Sequence, residues 1–352
     1  MADPDARNMK TRNKQSLDLR DRLIEPISER FRSWSPSYPY AMPRRLRFVP
    51  SGGSLVEVTS RTLQGRFLLK PSPYLARIVR GVLGRAQRRY NMTLHAFDFL
   101  SNHYHLLLTA DSARQLAAFM GYLNGNLAKE VARLHHWKEK VWSRRYQAIL
   151  VSDEPQAQIE RLHYLLAHGA KEGLVASPRE WPGTSCLPAL LEGKPLEGLW
   201  FDRTREYAAR TRQESYSEED FATREEVHLE PLPCWAHLSP EAYQQKILEM
   251  VEEIEEETAR HHAEAGTEPM GLKEMRRQRV EDHPERLKRS PAPLAHCASK
   301  RVRRLYWEAY GWFYAAFREA AEKLKAGQLE VAFPEGSFPP ALPYVGAVLE
   351  PG

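Results

Sequence analysis

Between residues 54 and 171 the apolar positions follow two rhythms, one of period two and one of period 3.6, and their succession predicts the architecture. Residues 54–62 alternate as a strand does. Residues 74–90 carry helical periodicity, and two further strands, 93–100 and 103–109, follow with only Ser101 and Asn102 between them as a tight turn. Ser112 then stands where a helix N-cap belongs, ahead of an amphipathic run to about residue 136. A short strand over 148–152 and a helix over 154–171, running toward Gly173, complete the series. Strand, helix, two strands, helix, strand, helix predicts an α+β fold, a ferredoxin-like sandwich with a central antiparallel sheet and helices on one face. The 103–109 strand takes a central place facing the last helix.

Outside this block the pattern changes. Residues 1–41 are polar and mixed in charge, with Ser-Pro and Tyr-Pro dipeptides, and read as a poorly ordered arm. Residues 42–190 form the folded unit and 191–262 a connecting region. The latter ends in a helix over 240–262, whose run Glu252, Glu253, Glu255, Glu256 and Glu257 reads as a solvated face. Residues 263–352 open with a basic linker or extended DNA-contacting arm to about 298. A strong amphipathic helix follows over 298–324 with Tyr306, Trp307, Tyr310, Trp312, Phe313, Tyr314 and Phe317, then a Pro-rich tail that folds back. Aromatics interleaved with arginines can stack on unpaired bases, but at helical spacing they more often form a core stripe, so the expectation is a mostly helical C-terminal extension.

Candidate chemistry sits on the central strand and the last helix. In Phe97-Asp98-Phe99-Leu100-Ser101-Asn102-His103-Tyr104-His105-Leu106-Leu107-Leu108-Thr109, His103 and His105 lie two apart, so they share one face while Tyr104 takes the other. Two imidazoles on one rigid face can chelate a metal, and the same spacing also suits a hydrogen-bonded pair. Leaving them unsatisfied in an apolar strand would be costly. On the helix, Tyr164 and His168 are four apart and share a face. Either His168 supplies a third nitrogen one turn from a phenol, or Tyr164 packs in the core and His168 complements the helix C-terminus.

Composition agrees with a nucleic-acid partner. The 352 residues carry a formal charge of +5, and this weak net charge conceals basic clusters: Arg44, Arg45 and Arg47; Lys273, Arg276, Arg277, Arg279, Arg286, Lys288 and Arg289; Lys300, Arg301, Arg303 and Arg304. Cys186, Cys234 and Cys297 are scattered without Cys-x-x-Cys spacing, which excludes a zinc-finger pattern and fits a reducing compartment. No apolar run approaches about 18 residues and the N-terminus has no apolar leader core. The expectation is a protein of the bacterial cytoplasm associated with the nucleoid, with no membrane partner. No Gly-rich nucleotide-binding loop is present, so no nucleotide cofactor is expected.

The motifs together resemble the single-tyrosine HUH transposases (transposase IS200-like domain), and within them the REP-associated tyrosine transposases. His103-Tyr104-His105 follows the histidine, bulky residue, histidine pattern. Pro43-Arg44-Arg45-Leu46-Arg47 with Val58-Thr59-Ser60-Arg61 resembles the family's opening basic turn and first strand, and Trp142-Ser143-Arg144-Arg145-Tyr146 its Trp-x-x-Arg-aromatic segment. Lys171-Glu172-Gly173-Leu174-Val175 and Glu180-Trp181-Pro182 resemble the family's closing motifs. The likeness runs over about residues 42–186.

That resemblance implies a metal-dependent transposase in which Tyr164 is the nucleophile. It would cleave and rejoin single-stranded DNA through a 5′-phosphotyrosine, at hairpin or repetitive extragenic elements. A divalent metal, Mg²⁺ or Mn²⁺, would be held by His103, His105 and His168. His168 stands where the family usually has Asn or Gln, its imidazole being a good ligand for Mn²⁺ and other transition ions and less natural for Mg²⁺, and Gly169 stands where the family often has Pro. Arg44, Arg45, Arg47, Arg61, Arg145, Tyr146 and Lys171 are the candidate DNA contacts, the partner being single-stranded or hairpin DNA. A homodimer is compatible with this, the Tyr164 helix serving its own subunit or being exchanged. Two alternatives stay open: a rolling-circle initiator or relaxase-type nickase, and a catalytically silent hairpin-DNA binding factor.

Overall fold

The computed structural model describes residues 46–285 and 293–338. From the start of the described chain, strand β1 (Ser54–Arg61) leads into helix α1 (Pro73–Tyr90), then β2 (Thr93–Phe99), β3 (His103–Ala110), α2 (Ala113–Leu134), β4 (Gln147–Val151) and α3 (Pro155–Leu166). After a break come α4 (His168–Lys171), β5 (Thr184–Ser185), α5 (Leu187–Glu192), β6 (Leu196–Phe201), α6 (Arg203–Thr211) and β7 (Ala222–Val227). The chain continues through α7 (Pro240–Ala265), α8 (Gly271–Arg277), β8 (Ala295–His296) and α9 (Lys300–Lys325).

Local chemistry explains the early boundaries. Ser72 and Ser112 cap α1 and α2 by accepting the Leu75 and Gln115 amides, each at 3.1 Å. Asn91 ends α1 in the left-handed region at φ 46°, a conformation asparagine tolerates. The β2–β3 connection closes with the Leu100 amide on the His103 carbonyl at 2.8 Å. The six strands of the main sheet run in the order β5-β2-β3-β1-β4-β8, and all the pairings are antiparallel except β4 with β8. The inner order β2-β3-β1-β4 is that of a ferredoxin-like sandwich, and the predicted α+β class holds.

Both faces of this sheet are covered, which differs from the expected helices on one face. Every residue from His103 to Leu108 is buried, so β3 reads as a continuous apolar run and needs cover on two sides. Helices α1 and α2 pack together, and Tyr104 reaches their side, donating to Asn124 Oδ1 at 2.6 Å and stacking on Phe99 at 4.7 Å. The histidines on the other face meet α3 and α4. The helix expected over 154–171 is two pieces, because Ala167 turns the chain at φ −71°, ψ −8°.

Residues 191–239 gave no strand by sequence, yet β6 and β7 pair there as a second, two-stranded sheet lying on α1. The approach is close enough that a Cβ on Gly81 would stand 2.1 Å from the Leu199 backbone. The stretch expected to be a linker over 263–298 contains α8 and β8. In α9 the aromatics are a core stripe rather than a base platform: Tyr306, Tyr310 and Phe313 are buried, Phe313 stacks on Phe48 at 4.6 Å, and the Leu46 amide donates to the Tyr310 hydroxyl at 2.8 Å. The main apolar core extends from Phe48 to Phe313, with a smaller cluster of Leu100, Val175, Trp181 and Met275 apart from it. Among the described residues no helix is long and apolar enough to cross a membrane.

Candidate active site

The register of β1, β2 and β3 decides what the site face contains. Arg61 stands opposite His103, Thr59 opposite His105 and Glu57 opposite Leu107 on one side, with Asp98 opposite His105 on the other. Directly opposed residues share a face, so the two histidines, Glu57 and Asp98 all project toward α3 and α4. The turn at Ala167 then drops His168 onto the pair. Its Nε2 lies 3.0 Å from His103 Nε2, and a nitrogen of each of the three histidines lies within 4.8 Å of the others.

Each strand histidine is held by its far nitrogen. His103 Nδ1 faces Asn102 Oδ1 at 2.6 Å, and His105 Nδ1 donates to Glu57 Oε1 at 2.8 Å. A carboxylate only accepts, so His105 carries its proton on Nδ1, and an acceptor at Asn102 Oδ1 does the same for His103. The Nε2 of each is thereby unprotonated, and that of His103 accepts across the 3.0 Å contact with His168 Nε2. Burial, followed by the neighbouring imidazoles and Arg61, holds His103 well below the usual histidine range. Burial and the charge of His105 depress His168 against the opposing pull of Glu57. Two of the three rings are thus neutral at physiological pH, the form in which imidazole ligates metals. His168 Nδ1 is buried without a hydrogen-bond partner, so the cluster is not a closed hydrogen-bond network. Three clustered imidazoles fit a divalent transition ion, with Mn²⁺ suited better than Mg²⁺.

Tyr164 lies beside this cluster, its ring centroid 5.2 Å from that of His168 and 6.0 Å from that of His105. Two cations attend its ring, the Arg161 guanidinium at 4.2 Å and the Lys171 ammonium at 4.7 Å from the centroid. They put positive charge where an anionic phosphate approaching the phenol would meet it.

Sequence reasoning missed the groups that organise these residues. Glu57 accepts from His105, from Arg161 at 2.9 Å and from His296 Nε2 at 3.0 Å. Burial alone would push its carboxyl up, yet the hydrogen bonds from His105 and His296 and the charges of His105 and Arg161 outweigh it. The group stays well below the carboxylate range. Asp98 goes the other way: wholly buried, with Oδ1 unsatisfied, its carboxyl is pushed well up by desolvation. A charged residue inside Leu55-Val56-Glu57-Val58 was the available signal; for His296, over two hundred residues away, there was none.

The candidate DNA contacts are dispersed. Lys171 joins Tyr164, Arg61 lines the histidine face and Arg145 is exposed beside β4. Arg47 and Tyr146 come together, the guanidinium 4.6 Å from the Tyr146 ring and 4.0 Å from Phe338. Arg44 and Arg45 lie outside the described residues, as do Arg286, Lys288, Arg289 and the 1–41 arm. A second grouping, His163 of α3 with Glu253 and Glu257 of α7, has exposed carboxylates.

Comparison with known proteins bears on this geometry. Residues 71–164, a span holding His103, His105 and Tyr164, match the family model described as transposase IS200-like. The resemblance to the single-tyrosine HUH transposases stands over that span, and it supports a transposase function, that of a DNA-processing enzyme. Two solved structures are similar to parts of the chain. One is the REP-associated tyrosine transposase bound to a REP hairpin, 15% identical over 44% of this chain and 87% of that one, with a TM-score of 0.34. The other is a protein described as a transposase from Deinococcus radiodurans, 19% identical over 37% and 94%, with a TM-score of 0.25. Overlaps this loose carry no weight on activity. No curated protein sequence matches the chain.

Proposed function

We propose that this protein cleaves and rejoins single-stranded DNA, at hairpin or repetitive extragenic elements, by way of a 5′-phosphotyrosine on Tyr164. The observation that carries the reading is the Tyr164 ring set against three clustered histidines on the sheet face, with cations at both Arg161 and Lys171. In the cleavage step the Tyr164 oxygen attacks the scissile phosphorus and gives up its proton. The bond from phosphorus to the 3′-oxygen breaks, and that oxygen leaves as a hydroxyl after taking up a proton. Rejoining is the reverse attack by a 3′-hydroxyl on the phosphotyrosine, so no nucleotide is consumed. A phenol with an ordinary pKa of about 10 needs assistance at neutral pH.

His103, His105 and His168 would hold a divalent metal, which when bound supplies Lewis-acid polarisation of the phosphate oxygens. Asn102 and Glu57 keep the ligating nitrogens of His103 and His105 unprotonated. Arg161 and Lys171 screen the phosphate charge beside the phenol. Arg61, Arg145 and Lys171 are the proposed contacts to the DNA backbone, and the catalytic unit is residues 42–190.

The test is incubation with Mn²⁺ or Mg²⁺ and labelled single-stranded hairpin DNA from the flanks of its own gene. A denaturation-resistant protein–DNA adduct is expected in the wild type and not in Tyr164→Phe. Tight hairpin binding without any adduct, equal with and without metal, would instead identify a catalytically silent binding factor.

A further inference from the structure

The Glu57 carboxylate receives three donors from three separate parts of the chain: His105 on β3, Arg161 on α3 and His296 on β8. The first two belong to the site. The third comes from a strand of only two residues, fastened at both ends. Toward β4, the Leu150 amide donates to the Leu294 carbonyl at 3.3 Å and the Ser152 amide to the His296 carbonyl at 2.9 Å. Toward α3, the carboxylate of Glu154, its N-cap residue, accepts the Ala298 amide at 2.9 Å and the Ser299 amide at 3.1 Å. The segment 294–299 therefore ties down the strand next to β1 and the start of the Tyr164 helix, and it delivers one imidazole to the carboxylate between them.

We infer that His296 is a positioning residue of the histidine site. Acting through Glu57, it fixes the tautomer and tilt of His105 and the place of Arg161 over the Tyr164 ring. A carboxylate with two oxygens can rotate about its own axis; one Arg161 nitrogen lies 2.9 Å from both oxygens, while the imidazoles of His105 on Oε1 and His296 on Oε2 hold one oxygen each and stop that rotation. Nε2 of His296 donates whether the ring is neutral or charged, so the role does not depend on its protonation. The consequence is that the C-terminal extension completes a site whose ligands and nucleophile all lie before residue 170. Partners of this kind orient ligating imidazoles and raise their basicity, and their loss typically lowers metal affinity by about 10- to 100-fold.

The inference rests on the proposed metal site of His103, His105 and His168, and the experiment separates the two. Full-length wild type, His296→Ala and His296→Gln are titrated with Co²⁺, followed by its visible absorption, alongside thermal melts. His296→Ala should bind Co²⁺ about 10-fold more weakly, the lower end because it acts one step removed. His296→Gln, whose amide can donate to Glu57, should restore most of the affinity. Unchanged Co²⁺ affinity in His296→Ala, or equal loss in both variants in proportion to their melting temperatures, would overturn the inference in favour of a purely structural strand. The tautomer of His105, read by ¹⁵N NMR of the metal-free protein, gives a second reading. A single Nδ1-protonated form is expected in the wild type and a mixture in His296→Ala, and an unaltered tautomer would overturn the inference. If the wild type takes up no Co²⁺, the metal reading fails and the tautomer alone decides the role of His296.

Discussion

The stretch from β1 to Trp181 and the stretch from β6 to the end of α9 share one apolar core, but they use buried polar groups in opposite ways. In the first, the polar side chains at the histidine site are His105 and, held in forms without charge by burial, His103, His168 and Asp98, with Glu57 as their charged organiser. In the second, they are ion pairs. Arg203 meets Glu130, Glu206 and Glu218 across α2, α6 and the loop before β7, and Arg85 and Arg88 of α1 both grip Glu225 on β7. Clustered imidazole nitrogens suit a ligand. Saturated ion pairs do not, and they fasten the second sheet to the first unit. The contrast separates a place built to bind from a place built to hold.

The largest expected break comes from the histidines. His168→Ala should abolish metal binding and, with it, the tyrosine adduct, while the fold persists, as measured by Co²⁺ titration and circular dichroism. His168→Asn sharpens the point, because it installs the amide oxygen usual in the family. Adduct formation should return with the preference moved from Mn²⁺ toward Mg²⁺, since oxygen ligands suit the harder ion. In the holding region Arg203→Ala should do the converse. It strips the partner from the buried Glu130 and leaves Glu206 with Arg133 alone, and should cost about 3 kcal/mol of stability, read by urea denaturation, with Co²⁺ affinity unmoved.

How much of this the sequence disclosed follows the same divide. The ferredoxin-like order was legible because the elements from β1 to α3 have their own local patterns: the alternation of 54–62, the two-residue turn before His103, the Ser112 cap. His103, His105, Tyr164 and His168 were legible as candidates because strand and helix periodicities place each pair on a common face. β6 and β7 were not, since Leu196-Glu197-Gly198-Leu199 and Ala222-Thr223-Arg224-Glu225 are short and charged and are strands only by virtue of α1 beneath them. Nor was the turn at Ala167, an ordinary helix former. His296 lies in a stretch that reads as linker, and its role exists only through a contact with Glu57 239 residues away.

A smaller effect probes the seam between the regions. Gly81→Ala would set a methyl 2.1 Å from the Leu199 backbone, and a backbone cannot swing aside as a side chain does. Lifting β6 from α1 should cost about 1–3 kcal/mol, the usual range for overpacking. Limited proteolysis should show first cleavage moving into 191–227, with the tyrosine adduct retained.

The finest distinction is in pH. His95, buried on β2 and bonded to the Glu230 and Pro231 carbonyls and to Thr109, is held below the ordinary 6.5 by burial, which outweighs those carbonyl contacts. His103 and His168 are shifted the same way when no metal is bound. For such a group the unfolded chain takes up protons that the folded one refuses, so stability is whole above about pH 6.5 and falls as the pH drops below it. Glu218 and Glu225 have carboxyls whose burial raises them less than Arg203, Arg133, Tyr74, Arg88 and Arg85 lower them. Their stabilisation is intact above the unfolded value of 4.5 and is lost only as the pH falls through their lower folded values. Unfolding free energy measured against pH without metal should therefore decline in two stages, first below about 6.5 from the histidines and then below about 4.5 from the carboxylates. Saturating Mn²⁺ should steepen the first stage, because protons then compete with the ion for the same nitrogens. Arg203→Ala should flatten only the second. A first stage indifferent to Mn²⁺ would show that the three clustered histidines bind no ion.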